Sequence, residues 1–217
     1  MDITAIVIAG GRSSRMGRNK ALLPVGELPV IENLVRQLAD ITKRVLVVSN
    51  EESPYLHLGA EIIPDIYRQA GPLAGIHAGL SASTSSWNLI TACDMPFVNT
   101  AVLQRLISEA EALSAKEHQM GTRELIEAVI PLTAEGSVLP LLAMYRRSVL
   151  PSLDAALREE QLRLIPWTQT LHAAYIPAQE LCREAGVTEE MLSFNMNRPG
   201  DYEKACEIYE EYKIRRT

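Results

Sequence analysis

The segment IAGGRSSRMGRNK, residues 8–20, sets two glycines, then three arginines and a lysine, directly after an apolar run. Gly10 and Gly11 let the backbone turn tightly and approach a ligand with no Cβ in the way. Successive N–H groups in such a loop can point at phosphate oxygens. Arg15 and Lys20 can neutralise the remaining charge. The chain around it is acidic, with a formal net charge of −6, yet no carboxylate stands between Asp2 and Glu27. A local positive loop on a negative protein points to a small anionic ligand. The bland alternative is a strand–loop–helix turn carrying surface arginines. Two familiar phosphate motifs do not fit. A P-loop needs G-x-x-x-x-G-K-[ST], whereas Gly17 is followed by Arg18, and Lys20 by Ala21. The dinucleotide spacing G-x-G-x-x-G is absent.

Three other stretches carry candidate chemistry. In ACDMP, Asp94 follows an apolar run, a natural place for a magnesium ligand. Mg²⁺ prefers one or two carboxylates plus substrate phosphates over an all-protein cage. A turn aspartate is the alternative. Cys93 beside it reads as a small buried residue. In PDIYRQAGPLAGI, Asp65 could hold a ribose, a base edge or a second metal, or be a plain loop residue, while Gly71 and Gly75 serve a turn and close helix packing. In FNMNRPGD, Asn195 and Asn197 alternate, so both side chains face one side of an extended segment. Two amides on one face suit a polar ligand, although on spacing alone a plain pair of loop asparagines is the stronger reading.

The elements that must position these residues follow from periodicity. ITAIVIAGG, KRVLVVSN, AEIIPD, WNLITACDMP, IEAVIPL, PLLAMYRR and LHAAYIP read as strands. PVIENLVRQLADI, GPLAGIHAGLSAS, TAVLQRLISEAEAL, SVLPSLDAALREE and RPGDYEKACEIYEEYK read as helices. Pro72 sits at a helix start, and Thr100 is the expected cap of the third helix. Residues 114–124 are polar and are expected to form a loop. Strands alternating with helices predict an α/β fold, a Rossmann-like three-layer α/β/α domain with a mostly parallel sheet covered on both faces. No repeat, low-complexity segment or linker interrupts residues 1–217, which are expected to form a single domain. In such folds ligands bind outside the C-terminal ends of the strands. That rule gathers the loops at residues 9–20, 50–54 and 94–96.

Composition narrows the class further. No apolar run approaches the ~18 residues of a membrane-spanning helix, and the N-terminus lacks the basic lead and cleavage site of a signal peptide. Cys93, Cys182 and Cys206 are odd in number and widely spaced, and no CxxC pair offers a zinc site. The four histidines are scattered. The acidic balance argues against a nucleic-acid surface, which needs a basic face. A cytoplasmic protein is expected, with no membrane or nucleic-acid partner.

IAGGRSSRMGRNK resembles the L-A-G-G-x-S-x-R-M-G-x-D-K signature of nucleotidyltransferases with a nucleotide-diphospho-sugar transferase fold, and ACDMP resembles their metal-binding aspartate segment. GPLAG and NMNRPGD are similar to the corresponding stretches of the MobA family, the molybdenum cofactor guanylyltransferases. The resemblance runs from Ile3 to the last helix. It implies transfer of GMP from Mg·GTP to the terminal phosphate of molybdopterin, with release of pyrophosphate. It implies that Ile8, Ala9, Gly10, Gly11 and Asn50 lie against the nucleotide and that Arg15, Gly17 and Lys20 hold its phosphates. Asp65 would bind the nucleotide, Asp94 the magnesium, and Asn195 and Asn197 the pterin phosphate. Arg15, Lys20 and Asp94 are the expected catalytic residues. Mg²⁺ is the expected cofactor, GTP and molybdopterin the substrates, with transient contact to molybdenum-insertion proteins or apo-molybdoenzymes. The alternatives are a cytidylyltransferase acting on molybdopterin or on a sugar or polyol phosphate, and a non-catalytic GTP-binding delivery protein. Two positions depart from the family pattern: Asn19 replaces the signature's aspartate, and Leu139 stands where a histidine is usual.

Overall fold

Residues 3–8, ITAIVI, are apolar but for Thr4 and form β1 (Ile3–Ile8), buried along its whole length. A strand with no polar face must lie inside a sheet covered on both sides. That is its position in the computed structural model of the chain, which describes residues 1–10, 19–121 and 125–214. The other strands are β2 (Arg44–Val48), β3 (Glu61–Ile63), β4 (Trp87–Ala92), β5 (Ala128–Leu132), β6 (Leu142–Arg146) and β7 (Ala173–Pro177). They form one sheet in the order β3-β2-β1-β4-β6-β5-β7. Only β6 runs against its neighbours β4 and β5. The remaining pairs are parallel.

Alternate residues of β1 serve opposite faces, as the period of two requires. Ile3, Ala5 and Val7 pack with α1 (Val30–Ile41), α3 (Thr100–Met120), α6 (Ala178–Cys182) and α7 (Glu189–Leu192). Ile6 and Ile8 pack with α2 (Pro72–Ala82), α4 (Leu150–Arg158) and α5 (Leu164–Thr168). Helix α2 lies unusually close to the sheet. A Cβ on Gly79 would meet Ile6 Cγ2 at 2.4 Å, and one on Gly75 would meet Ile8 Cγ2 at 3.0 Å. Gly71, at φ 70°, makes the turn into this helix, and Pro72 occupies its first position. The last helix, α8 (Pro199–Ile214), buries Ala205 and sets Tyr202, Ile208 and Tyr209 against a small cluster of Val25, Val30, Phe97 and Met196.

Helix α3 corrects two expectations. Its cap is Asn99, whose side chain accepts from Val102 N at 3.1 Å. Thr100 is instead the first helical residue and donates to Gln37 Oε1 at 3.1 Å. The helix also continues through Ser114–Met120, which the polar composition had marked as loop. Distant partners hold those extra turns. Trp87 Nε1 donates to Ser114 Oγ at 2.9 Å, and the Arg146 guanidinium lies 4.5 Å over the Trp87 ring. Arg146 Nη2 meets Glu117 Oε2 at 2.5 Å, with both side chains largely buried. Among the described residues no helix is long and apolar enough to cross a membrane.

The Arg146–Glu117 pair makes a stability prediction. Arg146→Met leaves the buried carboxylate without its cation. The expected cost is about 3–5 kcal/mol, measured as a lower urea midpoint at unchanged slope.

Candidate active site

The parallel register builds the site. Ile8 pairs with Val48 on one side and Ala92 on the other, and Val48 pairs with Ile63. Four strand ends therefore stand in one row. Two residues beyond that row come Gly10, Asn50, Asp65 and Asp94. The ladder runs one step past the strands, with Ala9 N donating to Val48 O at 3.0 Å and Cys93 N to Ile8 O at 3.1 Å. The four residues thus leave a shared rigid edge at the same height. Ile8 itself is buried, its side chain against Gly75, and its backbone oxygen is engaged. Ala9 is half-buried and Gly10 exposed. Gly11, Arg15 and Gly17 lie outside the described residues.

One side of the row is a pocket edge made by Asn50 and Asp65. The Asn50 amide nitrogen donates to Asp65 Oδ2 at 2.9 Å, and Asp65 N donates to Asn50 Oδ1 at 3.0 Å. The reciprocal pair fixes the aspartate rotamer. A Cβ on Gly10 would stand 3.7 Å from Asp65 Oδ2, an ordinary contact distance, so the Gly10 backbone lies directly beside this carboxylate. Asp65 Oδ1 is buried and has no donor among the described residues. Burial pushes its carboxyl above the ordinary value of 3.8, and the Asn50 bond opposes that in part.

The other side joins Lys20 and Asp94. Lys20 Nζ donates to Asp94 Oδ2 at 2.5 Å and to Asn197 Oδ1 at 3.4 Å. The ion-paired side chains are only 21% and 16% exposed, so water screens this pair less than a surface pair. Asp94 Oδ1 is buried with no donor among the described residues. An acceptor-only oxygen with nothing to accept from fits a bound cation. Among the described residues no group of three or more His, Cys, Asp or Glu forms a metal cage. One carboxylate is the donor set that suits Mg²⁺ shared with substrate phosphates.

The C-terminal segment reaches the same place. Met196 N donates to Asp94 O at 2.9 Å, and the Met196 side chain is fully buried. Asn195 and Asn197, on either side, are both exposed, as alternation predicts. They differ in what they touch: Asn197 meets Lys20, whereas the Asn195 amide donates to Ser193 O within its own segment. Cys93 is no nucleophile, because burial pushes its thiol up to about 12.

The structure also shows a residue that periodicity passed over. Tyr55, in a 3-10 turn at Ser53–Leu58, is buried and accepts a hydrogen bond from the Asn19 amide at 2.8 Å. Its only sequence signal was an aromatic residue in a segment read as loop. Leu139 is buried in the core and presents no polar group.

A mostly parallel sheet that gathers Lys20, Asn50, Asp65, Asp94 and Asn197 at one edge has the form of an α/β enzyme that binds its ligand beyond the C-terminal strand ends. The family model for MobA-like NTP transferase domains matches residues 5–171, and the chain belongs to that family. It is 31% identical over 208 residues to a protein of Carboxydothermus hydrogenoformans named "Probable molybdenum cofactor guanylyltransferase", covering 96% of this chain and 97% of that one. A protein of the same name from Pelotomaculum thermopropionicum is 28% identical and covers 100% of this chain and 98% of its own. The crystal structure of molybdopterin-guanine dinucleotide biosynthesis protein A from Archaeoglobus fulgidus superposes with a TM-score of 0.74 at 27% identity, over 96% of this chain and 99% of that one.

Asp65 gives a test of the site's electrostatics. A carboxyl raised in the folded state contributes stability below its unfolded value and loses it as pH rises through the folded value. At neutral pH the charged Asp65 therefore opposes folding. Asp65→Asn is expected to melt higher than the parent at pH 7, with the gain shrinking as pH falls toward 3.8. Thermal scans across that range check it.

Proposed function

We propose that this protein, acting as one domain, transfers GMP from GTP to the terminal phosphate of molybdopterin and releases pyrophosphate. The supporting observation is the partly buried Lys20–Asp94 pair, whose aspartate leaves the same strand-end row as Asn50 and Asp65. The names of the similar full-length proteins support the same choice of substrates.

The chemistry asks little covalent work of the protein. An oxygen of the acceptor phosphate forms a bond to the α-phosphorus of GTP. The bond from that phosphorus to the bridging oxygen breaks, and the electron pair leaves with pyrophosphate. A phosphate monoester carries about −1.5 to −2 charge at pH 7, so it attacks without a general base. Catalysis is then positioning and charge neutralisation.

Each residue takes a part in that scheme. Gly10 gives the nucleotide access to the sheet edge, Ala9 lies against it, and Ile8, buried beneath, supports that edge. Asn50 and Asp65 present a rigid amide–carboxylate pair with one carboxylate oxygen that no described residue donates to, suited to donor groups on the nucleotide. Lys20 is parked on Asp94 and is within reach of charge that builds on the phosphates. Arg15, Gly11 and Gly17 complete the phosphate loop. Asn197 and Asn195 line the side from which the acceptor phosphate approaches. Asp94 would hold Mg²⁺ through its Oδ1, and the ion when bound supplies Lewis-acid stabilisation of phosphoryl oxygens.

The fold leaves the choice of nucleotide open, since a Thermus thermophilus cytidylyltransferase superposes with a TM-score of 0.62 at 20% identity. The test is pyrophosphate release with molybdopterin, Mg²⁺ and one nucleotide at a time. Turnover with GTP and none with CTP is expected. Turnover with CTP alone would move the protein to the sister specificity. Lys20→Ala and Asp94→Ala are each expected to lower kcat about 10²–10³-fold, the scale for one electrostatic contact to a transition state, with the fold intact by circular dichroism. Asp94→Ala with undiminished turnover and unchanged Mg²⁺ dependence would remove the metal assignment.

A further inference from the structure

Lys20 is the first residue of a 3-10 turn, Lys20–Leu22, and the residue before it caps that turn. Asn19 sits in extended backbone, φ −68° and ψ 107°, and its side-chain oxygen accepts from Ala21 N at 3.1 Å. Its other side-chain atom, the amide nitrogen, donates to Tyr55 Oη at 2.8 Å. Tyr55 is 1% exposed, so its ring is locked in the core under the loop that follows β2. Both halves of the Asn19 amide are thus committed, one to the turn that carries Lys20 and one to a fixed point in the core. The side chain of a long lysine is otherwise free to sample many rotamers. Pinning the residue beside it narrows where Nζ can stand.

We propose that Asn19 and Tyr55 form a positioning clamp that sets Lys20 against Asp94 and, in turnover, against the nucleotide phosphates. The proposal rests on the role given to Lys20 above. It also accounts for the departure at position 19. An aspartate there would accept from Ala21 N with one oxygen and from the Tyr55 hydroxyl with the other. The same clamp would close with the tyrosine as donor instead of acceptor. The amide achieves this without a further negative charge beside the phosphate site. Burial raises the Tyr55 hydroxyl above its ordinary 10.0, with the Asn19 bond opposing, which keeps it protonated at working pH. The clamp also links two loops, since the segment that carries Tyr55 begins at Asn50, the partner of Asp65.

The experiment compares Tyr55→Phe, Asn19→Ala, Asn19→Asp and the doubles, with Lys20→Ala as reference. The readouts are kcat for pyrophosphate release, GTP affinity by calorimetry, and melting temperature. Tyr55→Phe and Asn19→Ala are each expected to lower kcat and GTP affinity about three- to tenfold, the scale of one hydrogen bond. Their double should be no worse than Asn19→Ala alone, because that variant already breaks the link to Tyr55 along with the Ala21 cap. Asn19→Asp should recover turnover when Tyr55 is present. Combined with Tyr55→Phe it should fall to the level of Tyr55→Phe alone, since the carboxylate still caps Ala21 N but has no hydroxyl donor. Additive losses, or Asn19→Asp as slow as Asn19→Ala beside an intact Tyr55, would overturn the clamp. Singles that shift melting temperature alone, with Lys20→Ala inactive, would overturn the clamp and leave the catalytic reading standing. Full activity in Lys20→Ala would overturn both.

Discussion

The interaction on which the rest depends is the backbone ladder joining the ends of β3, β2, β1 and β4. Parallel pairing aligns Ile63, Val48, Ile8 and Ala92 in one row, and the residues two steps further on inherit that alignment. Asp65, Asn50, Gly10 and Asp94 are separated by up to 84 positions in sequence, yet they leave the sheet at one edge. Parallel strands need crossover connections, so each of these loops turns the chain into a helical or 3-10 segment rather than back on itself. The site is therefore anchored by the most rigid part of the molecule, while its loops remain free to carry chemistry. A one-residue slip of any strand would turn its loop residue away from the others.

Charge is handled by pairing rather than by exposure. Lys20 and Asp94 neutralise each other in a partly buried place, so both charges are held ready where phosphates are expected. Asp65 and Asp94 each keep one oxygen without a donor among the described residues. Such groups oppose folding, and their neighbourhood shows how they are tolerated. Asn50 fixes Asp65, and the Met196 amide ties the backbone of Asp94. The apolar clusters on both faces of the sheet supply the stability that these groups draw down.

The C-terminal helix has a structural part in this arrangement. Met196, Val25, Val30, Phe97 and Ala205 form a cluster separate from the two main cores. It fastens the segment after Lys20, the segment after Asp94 and the segment carrying Asn197 to one another. Tyr202 adds a hydrogen bond to Pro24 O at 3.0 Å. The last helix thus closes the side of the site that the sheet leaves open, and it does so with side chains whose helical spacing was plain in RPGDYEKACEIYEEYK.

Among the described residues the sequence by itself determined the seven strands and the five long helices, because each is a local pattern: a short unbroken or alternating apolar run for a strand, an apolar spacing near 3.6 for a helix. It also determined the basic, carboxylate-free loop and the position of Asp94 at a strand end, since composition and order are enough for both. Only the tertiary structure decided the pairings. That Asn50 holds Asp65, that Lys20 meets Asp94 and Asn197, and that Tyr55 anchors Asn19 all depend on strand order and register, which join residues far apart in the chain. The same reason explains the misread end of α3. Ser114–Met120 is polar because Ser114 and Glu117 face Trp87 and Arg146, partners that lie on β4 and β6. Local pattern records how much a residue is buried, whereas the identity of what buries it is set by the fold.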